Sequence, residues 1–426
     1  MHMNKSKKLL PILRFPQYKS EWEISKFNFE FLQTNSFSRA EMDEDRGSVR
    51  NIHYGDILTK YNCILKNISN IPFINEGINL SRFNEACYLQ NGDIIIADTA
   101  EDLSAGKAIE VQNINSAVLA GQHTFLCRPQ NNFAPCYMGY YINSPSYHNS
   151  LVPLLTGIKV YSISKANIKK TYLLWPKEYS EQQKIADCLS SLDDLIDAES
   201  RKLETLKKHK KGLMQKLFPA EGKTMPEWRF PEFQGCSNWV PKPIWKSCDM
   251  FSGGTPDTSK KEYYGGDIPF IRSAEISKNS TELFITELGL KNSSAKMVVK
   301  GDILIALYGA NSGDVALAQI DGAINQAILC LRHETNNEFV YHYLTHKKNW
   351  IIARYVQGGQ GNLSGQIIKA VTLYFPEQPE EQKKISECLS EVDTLITAQA
   401  DRIEGLKTHK KGLMQGLFPS LEEAEL

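Results

Sequence analysis

Three sets of residues have types that could support catalysis, and each lacks a part. Gly222-Lys223-Thr224 ends like a phosphate-cradling loop, but that loop needs a glycine where Leu217 stands. Asp257 and Glu275 could be the acids of a metal-dependent nuclease, yet Ser277 occupies the position where the accompanying lysine is needed. No Asn/Asp-Pro-Pro-aromatic motif for methylating amino groups is present. The nine histidines form no metal-ligand spacing with acids, and Glu101-Asp102 reads as a solvated turn. The nine cysteines contain no Cys-x-x-Cys pair, and the spacings Cys127 to Cys136 and Cys236 to Cys248 do not suit a zinc finger. Reduced thiols in a cytoplasmic protein are the expectation. The residues therefore predict a chain without an active site or bound metal of its own.

What remains is an organisation built for positioning. A length of 426 residues implies two or three domains. Hydrophobic residues at 42% and charged residues at 23% exclude a disordered chain. Apolar runs such as Ile94-Ile95-Ile96-Ala97 are too short to span a bilayer, and Met1 to Phe15 is basic and interrupted by Pro11, unlike a signal peptide. The 49 basic and 49 acidic side chains balance, so overall charge argues against nucleic acid and only its distribution could favour it.

The chain repeats itself. Glu181 to Pro219 and Glu381 to Pro419 align without a gap at an offset of 200 residues. The correspondence extends upstream through Ser162-Ile163-Ser164 and Asn362-Leu363-Ser364, and Arg14-Phe15-Pro16 recurs as Arg229-Phe230-Pro231. Apolar positions in the first copy fall at Ile185, Leu189, Leu192, Ile196, Leu203 and Leu206. The second copy has Ile385, Leu389, Val392, Ile396, Ile403 and Leu406. Alternating steps of four and three residues make a coiled-coil seam, because a period of 3.5 keeps one stripe facing a partner helix. Glu199, Lys210, Gln399 and Lys410 interrupt the two seams at matching slots and would fix register. Each helix would be a rod of roughly 50 Å, and the short link from Pro219 to Arg229 favours antiparallel pairing.

The segments between the helices read differently. Asn91-Gly92-Asp93 and Lys300-Gly301-Asp302 are turns before short β-branched strands. The expected fold is mixed α/β (α+β). Globular segments at 1–178 and 220–378 alternate with helical segments at 179–219 and 379–426, in a pseudo-twofold arrangement from internal duplication.

Several of these motifs carry a resemblance. They include Leu13-Arg14-Phe15-Pro16 with Trp22, Gly253-Gly254-Thr255-Pro256, Tyr264-Gly265-Gly266-Asp267-Ile268-Pro269-Phe270-Ile271, Lys300-Gly301-Asp302-Ile303-Leu304, Asn325-Gln326, and the Glu-Gln-x-Lys-Ile opening of both helices. Together they resemble the specificity subunits of type I restriction–modification enzymes over nearly the full length. The first segment resembles a different recognition subtype, through Tyr54-Gly55-Asp56-Ile57, Asp98-Thr99-Ala100-Glu101-Asp102 and Gly157 to Ser164. The resemblance implies a non-catalytic chain in which two target-recognition domains each read half of a bipartite asymmetric double-stranded DNA site. It implies that the helices set the spacer and dock two modification subunits. Restriction subunits are further partners, and S-adenosylmethionine, ATP and magnesium belong to the partners.

Candidate DNA contacts are polar or basic loop residues, since phosphate contacts supply affinity and base-edge contacts supply sequence. In the first unit these are Thr59, Lys60, Tyr61, Gly106 and Lys107. In the second they are Gly253, Gly254 and Thr255, then Arg272 and Ser273, then Gln357, Gln360 and Asn362. The glycine-rich loop is open to two readings: a backbone N–H cradle for phosphate or a structural turn. The lysines at 207, 208, 210 and 211, repeated at 407, 410 and 411, read better as charge complementing a negative helix end than as a DNA or partner surface.

Overall fold

A computed structural model describes residues 10–355 and 362–419. The chain divides into two compact units, Met1–Glu199 with Arg402–Leu426, and Ser200–Asp401. Gln357 and Gln360 lie outside the described residues.

In the first unit a five-stranded sheet runs in the order Phe29–Leu32, Thr124–Pro129, Ile94–Ala97, Ala108–Val111, Ile64–Leu65. Its central strand Ile94–Ala97 is buried along its whole length, as its unbroken apolar run demands. The expected turn precedes it. Gly92 takes φ 88°, and the buried Asp93 carboxylate receives Gln90 N–H and the Arg128 guanidinium at 2.7 Å. A second sheet orders Val118–Ala120, Arg50–Ile52, Phe73–Ile74 and Met42–Asp43, and its first two strands are parallel.

The second unit repeats this plan with fewer strands. One sheet orders Cys248–Ser252, Ile328–His333, Ile303–Ala306 and Val315–Leu317. The other orders Phe284–Ile285, Tyr264–Ile271, Gly322–Ile324 and Lys296–Val298, again with one parallel pair. Gly301 takes φ 92°, and Asp302 receives Val299 N–H and Arg332.

The long helices are Tyr179–Leu217 and Pro379–Leu417, each of 39 residues and each followed by Phe-Pro, which cannot continue a helix. Each unit contains the start of one helix and the end of the other. In the first unit Ile185 and Leu189 share a core with Leu417 and Phe418; farther along, Asp193 meets Lys410 and Glu199 meets Arg402. In the second, Lys210 meets Asp393, while Leu217 and Phe218 share a core with Ile385 and Leu389. Partner numbers fall as helix numbers rise, so the segments are antiparallel within each unit.

Seam positions Ile185, Leu189, Leu192, Ile196, Ile385, Leu389, Val392 and Ile403 are buried, and Leu203, Leu206, Ile396 and Leu406 are half-buried. Lys210 and Lys410 keep the seam slots read for them and so depart from the helix-end reading of their clusters. Their ammonium groups lie on the seam and bind carboxylates on the opposite helix, each at 2.5 Å.

Phe418 and Phe218 seal the units in the same way. Phe418 lies edge-on to Tyr137 and Tyr141, while Phe218 lies edge-on to Phe339 and stacks on Tyr343 at 4.4 Å. Arg14 binds the buried Glu181 with two bonds of 2.7 and 2.8 Å, and Arg229 binds Glu381 likewise at 2.7 and 2.5 Å. Paired forks of this kind satisfy both carboxylate oxygens of an acid held away from water. The repeated Arg-Phe-Pro thus ties the beginning of each unit to the first turn of its own helix.

Candidate nucleic-acid interface

The parallel pairs, Val118–Ala120 with Arg50–Ile52 in the first unit and Gly322–Ile324 with Tyr264–Ile271 in the second, each end at one edge. Ala120 pairs with Ile52, and Ile324 pairs with Ile271, so the residues that follow emerge side by side. In the first unit these are His53-Tyr54 and Gly121-Gln122-His123; in the second, Arg272-Ser273 and Asn325-Gln326-Ala327. Three main-chain bonds around the two edges correspond. Asn35 N–H reaches Ala120 O as Gly254 N–H reaches Ile324 O, and Asp98 N–H reaches His123 O as Leu307 N–H reaches Ala327 O. Gly106 N–H reaches Ala97 O as Gly313 N–H reaches Ala306 O.

The first edge is aromatic. The rings of His53 and Tyr54 lie 4.5 Å apart, and that of His123 lies 5.3 Å from Tyr54. His53 Nδ1 accepts the Gly55 N–H at 3.2 Å, and burial holds this imidazole's pKa below its ordinary value. With Nδ1 accepting, the uncharged ring carries its proton on Nε2, a donor. His123 stands at φ 54° with Nδ1 3.3 Å from Asp98.

The second edge carries a guanidinium. Arg272 donates Nε and Nη2 to Glu275 at 3.0 Å each, and Nη2 to Glu282 at 2.6 Å. The Arg272 bonds hold the buried Glu275 carboxyl down to about 2. An acid is buried at the equivalent place in the first unit, where Asp56 takes Arg39 at 2.6 Å and Lys60 at 3.2 Å.

The sequence-selected residues are distributed unevenly around these edges. Arg272 and Ser273 lie on the second edge, with Thr255 beside them donating to Gln326 Oε1 at 2.7 Å. Gly253 and Gly254 are packing glycines. An added Cβ would stand 1.8 Å from Ile324 O at the first and 1.9 Å from Ser294 Oγ at the second, and the Gly254 N–H already has its acceptor. Asn362 is exposed, its Oδ1 accepting from Gly309 N–H at 3.4 Å. In the first unit Thr59 and Lys60 end the helix Tyr54–Thr59 and are exposed. Tyr61 is half-buried beyond them, its hydroxyl without a hydrogen-bond partner. Gly106 takes φ 94° under Leu151, and Lys107 donates Nζ to Leu58 O at 3.0 Å, its charge disfavoured by burial. Lys107 is thus tied down rather than free for phosphate.

Among the described residues no three His, Cys, Asp or Glu side chains converge as a metal set, and no helix is long and apolar enough to cross a membrane. Comparison with known proteins then decides the class. Residues 47–208 and 237–408 each match the type I restriction modification DNA specificity domain. The chain belongs to this family. It is similar to a chain named as the MjaX type I restriction enzyme specificity subunit of Methanocaldococcus jannaschii, with 27% identity over 77% of each chain. It is also similar to the MjaIX specificity subunit of the same organism, with 30% identity over 43% of this chain and 45% of that one. The fold matches a crystal structure of the type I S subunit from M. genitalium, with a TM-score of 0.59 and 14% identity, covering 96% and 99% of the two chains. A second match, from a study of complex assembly and conformational transition in the type I system, has a TM-score of 0.58 and 16% identity over 94% and 99%. The protein is a non-catalytic type I specificity subunit with two DNA-recognition domains.

Residue types alone left four members of the subunit's first edge unselected: His53, Tyr54, Gln122 and His123. Tyr54 sat inside a motif, but nothing in the order of residues aligns Tyr54-Gly55-Asp56-Ile57 with Ser273-Ala274-Glu275-Ile276. The parallel strand register does. On the outer surface of the larger sheet in this unit, Lys165 and Lys169 stand over the Phe31 ring, each 5.5 Å from its centre. They offer exposed positive charge on an apolar base.

Proposed function

We propose that each unit reads one half of a bipartite, asymmetric double-stranded DNA site. The proposed reading segments are 1–178 and 220–378, and segments 179–219 and 379–426 carry the spacer helices. The observation that carries this reading is one framework used twice with different side chains at the same edge. Two readers with one frame and two surfaces suit an asymmetric site, whereas identical surfaces would suit a palindrome.

The helices separate the half-sites and dock two modification subunits. Leu195 and Leu395, related by the repeat, are both exposed on them, which supports a partner that binds twice. Restriction subunits complete the assembly in the cytoplasm. S-adenosylmethionine serves the modification subunits, and ATP and magnesium serve the restriction subunits.

The test is a segment exchange. Replacing residues 1–178 by the same segment of a relative, in the assembled methyltransferase, changes one half of the methylated motif read by methylome sequencing. A change in both halves would contradict the two-reader arrangement.

A further inference from the structure

The framework of the two units is shared down to individual bonds, so it cannot tell one half-site from the other. Discrimination must lie in side chains that differ while the main chain beneath them does not. The buried framework does not differ: Asp93–Arg128 matches Asp302–Arg332, and Arg14–Glu181 matches Arg229–Glu381. The strand-end edge does differ. His53 stands where Arg272 does, Tyr54 where Ser273 does, Gly121 where Asn325 does, and His123 where Ala327 does, while Gln122 and Gln326 are retained. We infer that this edge is the base-reading surface of each unit, with His53, Tyr54, Gln122 and His123 reading one half-site and Arg272, Ser273 and Gln326 the other. The assignment rests on the two-reader function proposed above.

The chemistry of the edge favours bases over phosphates. The sequence-independent electrostatic affinity for phosphates comes from uncompensated cations. Here the Arg272 guanidinium is already bound by Glu275 and Glu282, His123 faces Asp98, and burial disfavours charge on His53, whose Nδ1 is taken by Gly55 N–H. What the edge keeps is directional hydrogen bonding. Glutamine offers a donor and an acceptor together, the pair that adenine presents in the major groove, and arginine matches guanine. The carboxylates on Arg272 fix its plane. With Nε and Nη2 engaged, the Nη1 side of the fork lies outside those bonds. Glu275 is in this sense a positioning residue. The retained glutamines are the common element, and the residues beside them change what is read.

The experiment uses the complex of this chain with its modification subunits, after methylome sequencing has given the site. Binding is measured for duplexes with the intact site, with either half scrambled, and with both scrambled, across a salt series. Gln122→Ala and His53→Ala are each expected to weaken binding to the intact site about 5- to 100-fold. Binding to the doubly scrambled duplex and the slope of affinity against salt should stay unchanged. Tolerance should appear in one half only, with Gln326→Ala relaxing the other half. Gln122→Asn, which keeps the amide, should retain more discrimination than the alanine change. Equal losses on all duplexes would make the edge a sequence-independent backbone contact and overturn the assignment. Unchanged discrimination in Gln122→Ala and Gln326→Ala would overturn it as well. The exchange of residues 1–178 separates the two levels. If it alters one half while the edge variants alter nothing, the edge assignment fails and the two-reader function stands. If it alters neither half, both fail.

Discussion

The two units solve one packing problem with different polar groups, most visibly where the globular part meets the helices. In the first unit Tyr140 donates to Asp193 at 2.8 Å and lies 3.2 Å from Ser190, with Lys410 capping the same carboxylate. In the second unit His342 takes the place of Tyr140, with Nε2 3.1 Å from Ser390 Oγ, and Lys210 caps Asp393. Lysine and aspartate positions are kept, while the group that inserts between them changes from a phenol to an imidazole. The reason lies in the helices. Equal helices running in parallel would set Asp193 against Asp393 and Lys210 against Lys410. The antiparallel arrangement within each unit brings opposite charges together. The crossed pairs therefore select orientation, in the way polar seam residues specify coiled-coil pairing, and the aromatic neighbour needs only to fill the space and satisfy a bond.

The buried arginines tie each of the two units by equivalent bonds. Arg229→Met leaves Glu381 as an uncompensated buried charge and is expected to destabilise the second unit by about 3–5 kcal/mol. Arg14→Met should do the same to the first through Glu181. Denaturant unfolding of both variants, with proteolysis to show which unit opens, checks whether the two ties are equivalent.

Charge reversal of a crossed pair comes next. Asp193→Lys alone opposes Lys410 and should cost about 2–4 kcal/mol, while Asp193→Lys with Lys410→Asp should recover most of it. If the double variant melts no higher than the single, the pair does not select orientation.

The two units also differ in how they respond to pH. Burial and the nearby Lys210 hold the His342 pKa down to about 3, so it is neutral despite lying 3.8 Å from Asp393. An unfolded chain frees this histidine to take a proton near its ordinary 6.5. Protonation thus favours unfolding, and stability of the second unit declines as the pH falls from about 6.5 towards 3. Tyr140, whose pKa burial raises, contributes no such loss in the first unit. Hydrogen exchange at pH 7 and pH 5 should show the second unit loosening more, and His342→Tyr should reduce the difference.

The smallest effect concerns the loops beside the edges. Gly106→Ala and Gly313→Ala each force a side chain into a left-handed backbone, at φ 94° and 86°, which should cost about 1–2 kcal/mol. The added methyl would also meet Leu151 Cδ1 at 2.7 Å in the first unit and Ile352 Cδ1 at 2.9 Å in the second. Similar losses in melting temperature would confirm that the two loops are the same device.

Much of this molecule is visible in the order of its residues. Repeated apolar steps of four and three define both long helices, because a helix must present one stripe to its partner. Gly-Asp turns before Ile94 and Ile303 announce the central strands, because glycine alone enters the positive-φ turn easily and β-branched residues favour the strand. Motif order identifies the family. What folding alone decided is which distant residues meet. Lys210 reads in the sequence as a polar slot in the seam, and only the antiparallel partner makes it the mate of Asp393. Lys107 reads as a free cation until the fold places Leu58 O at its ammonium. His53 and Gln122 are 69 positions apart and unremarkable singly. A parallel strand pair sets them side by side, and strand register is a property of two segments together, invisible in either one alone.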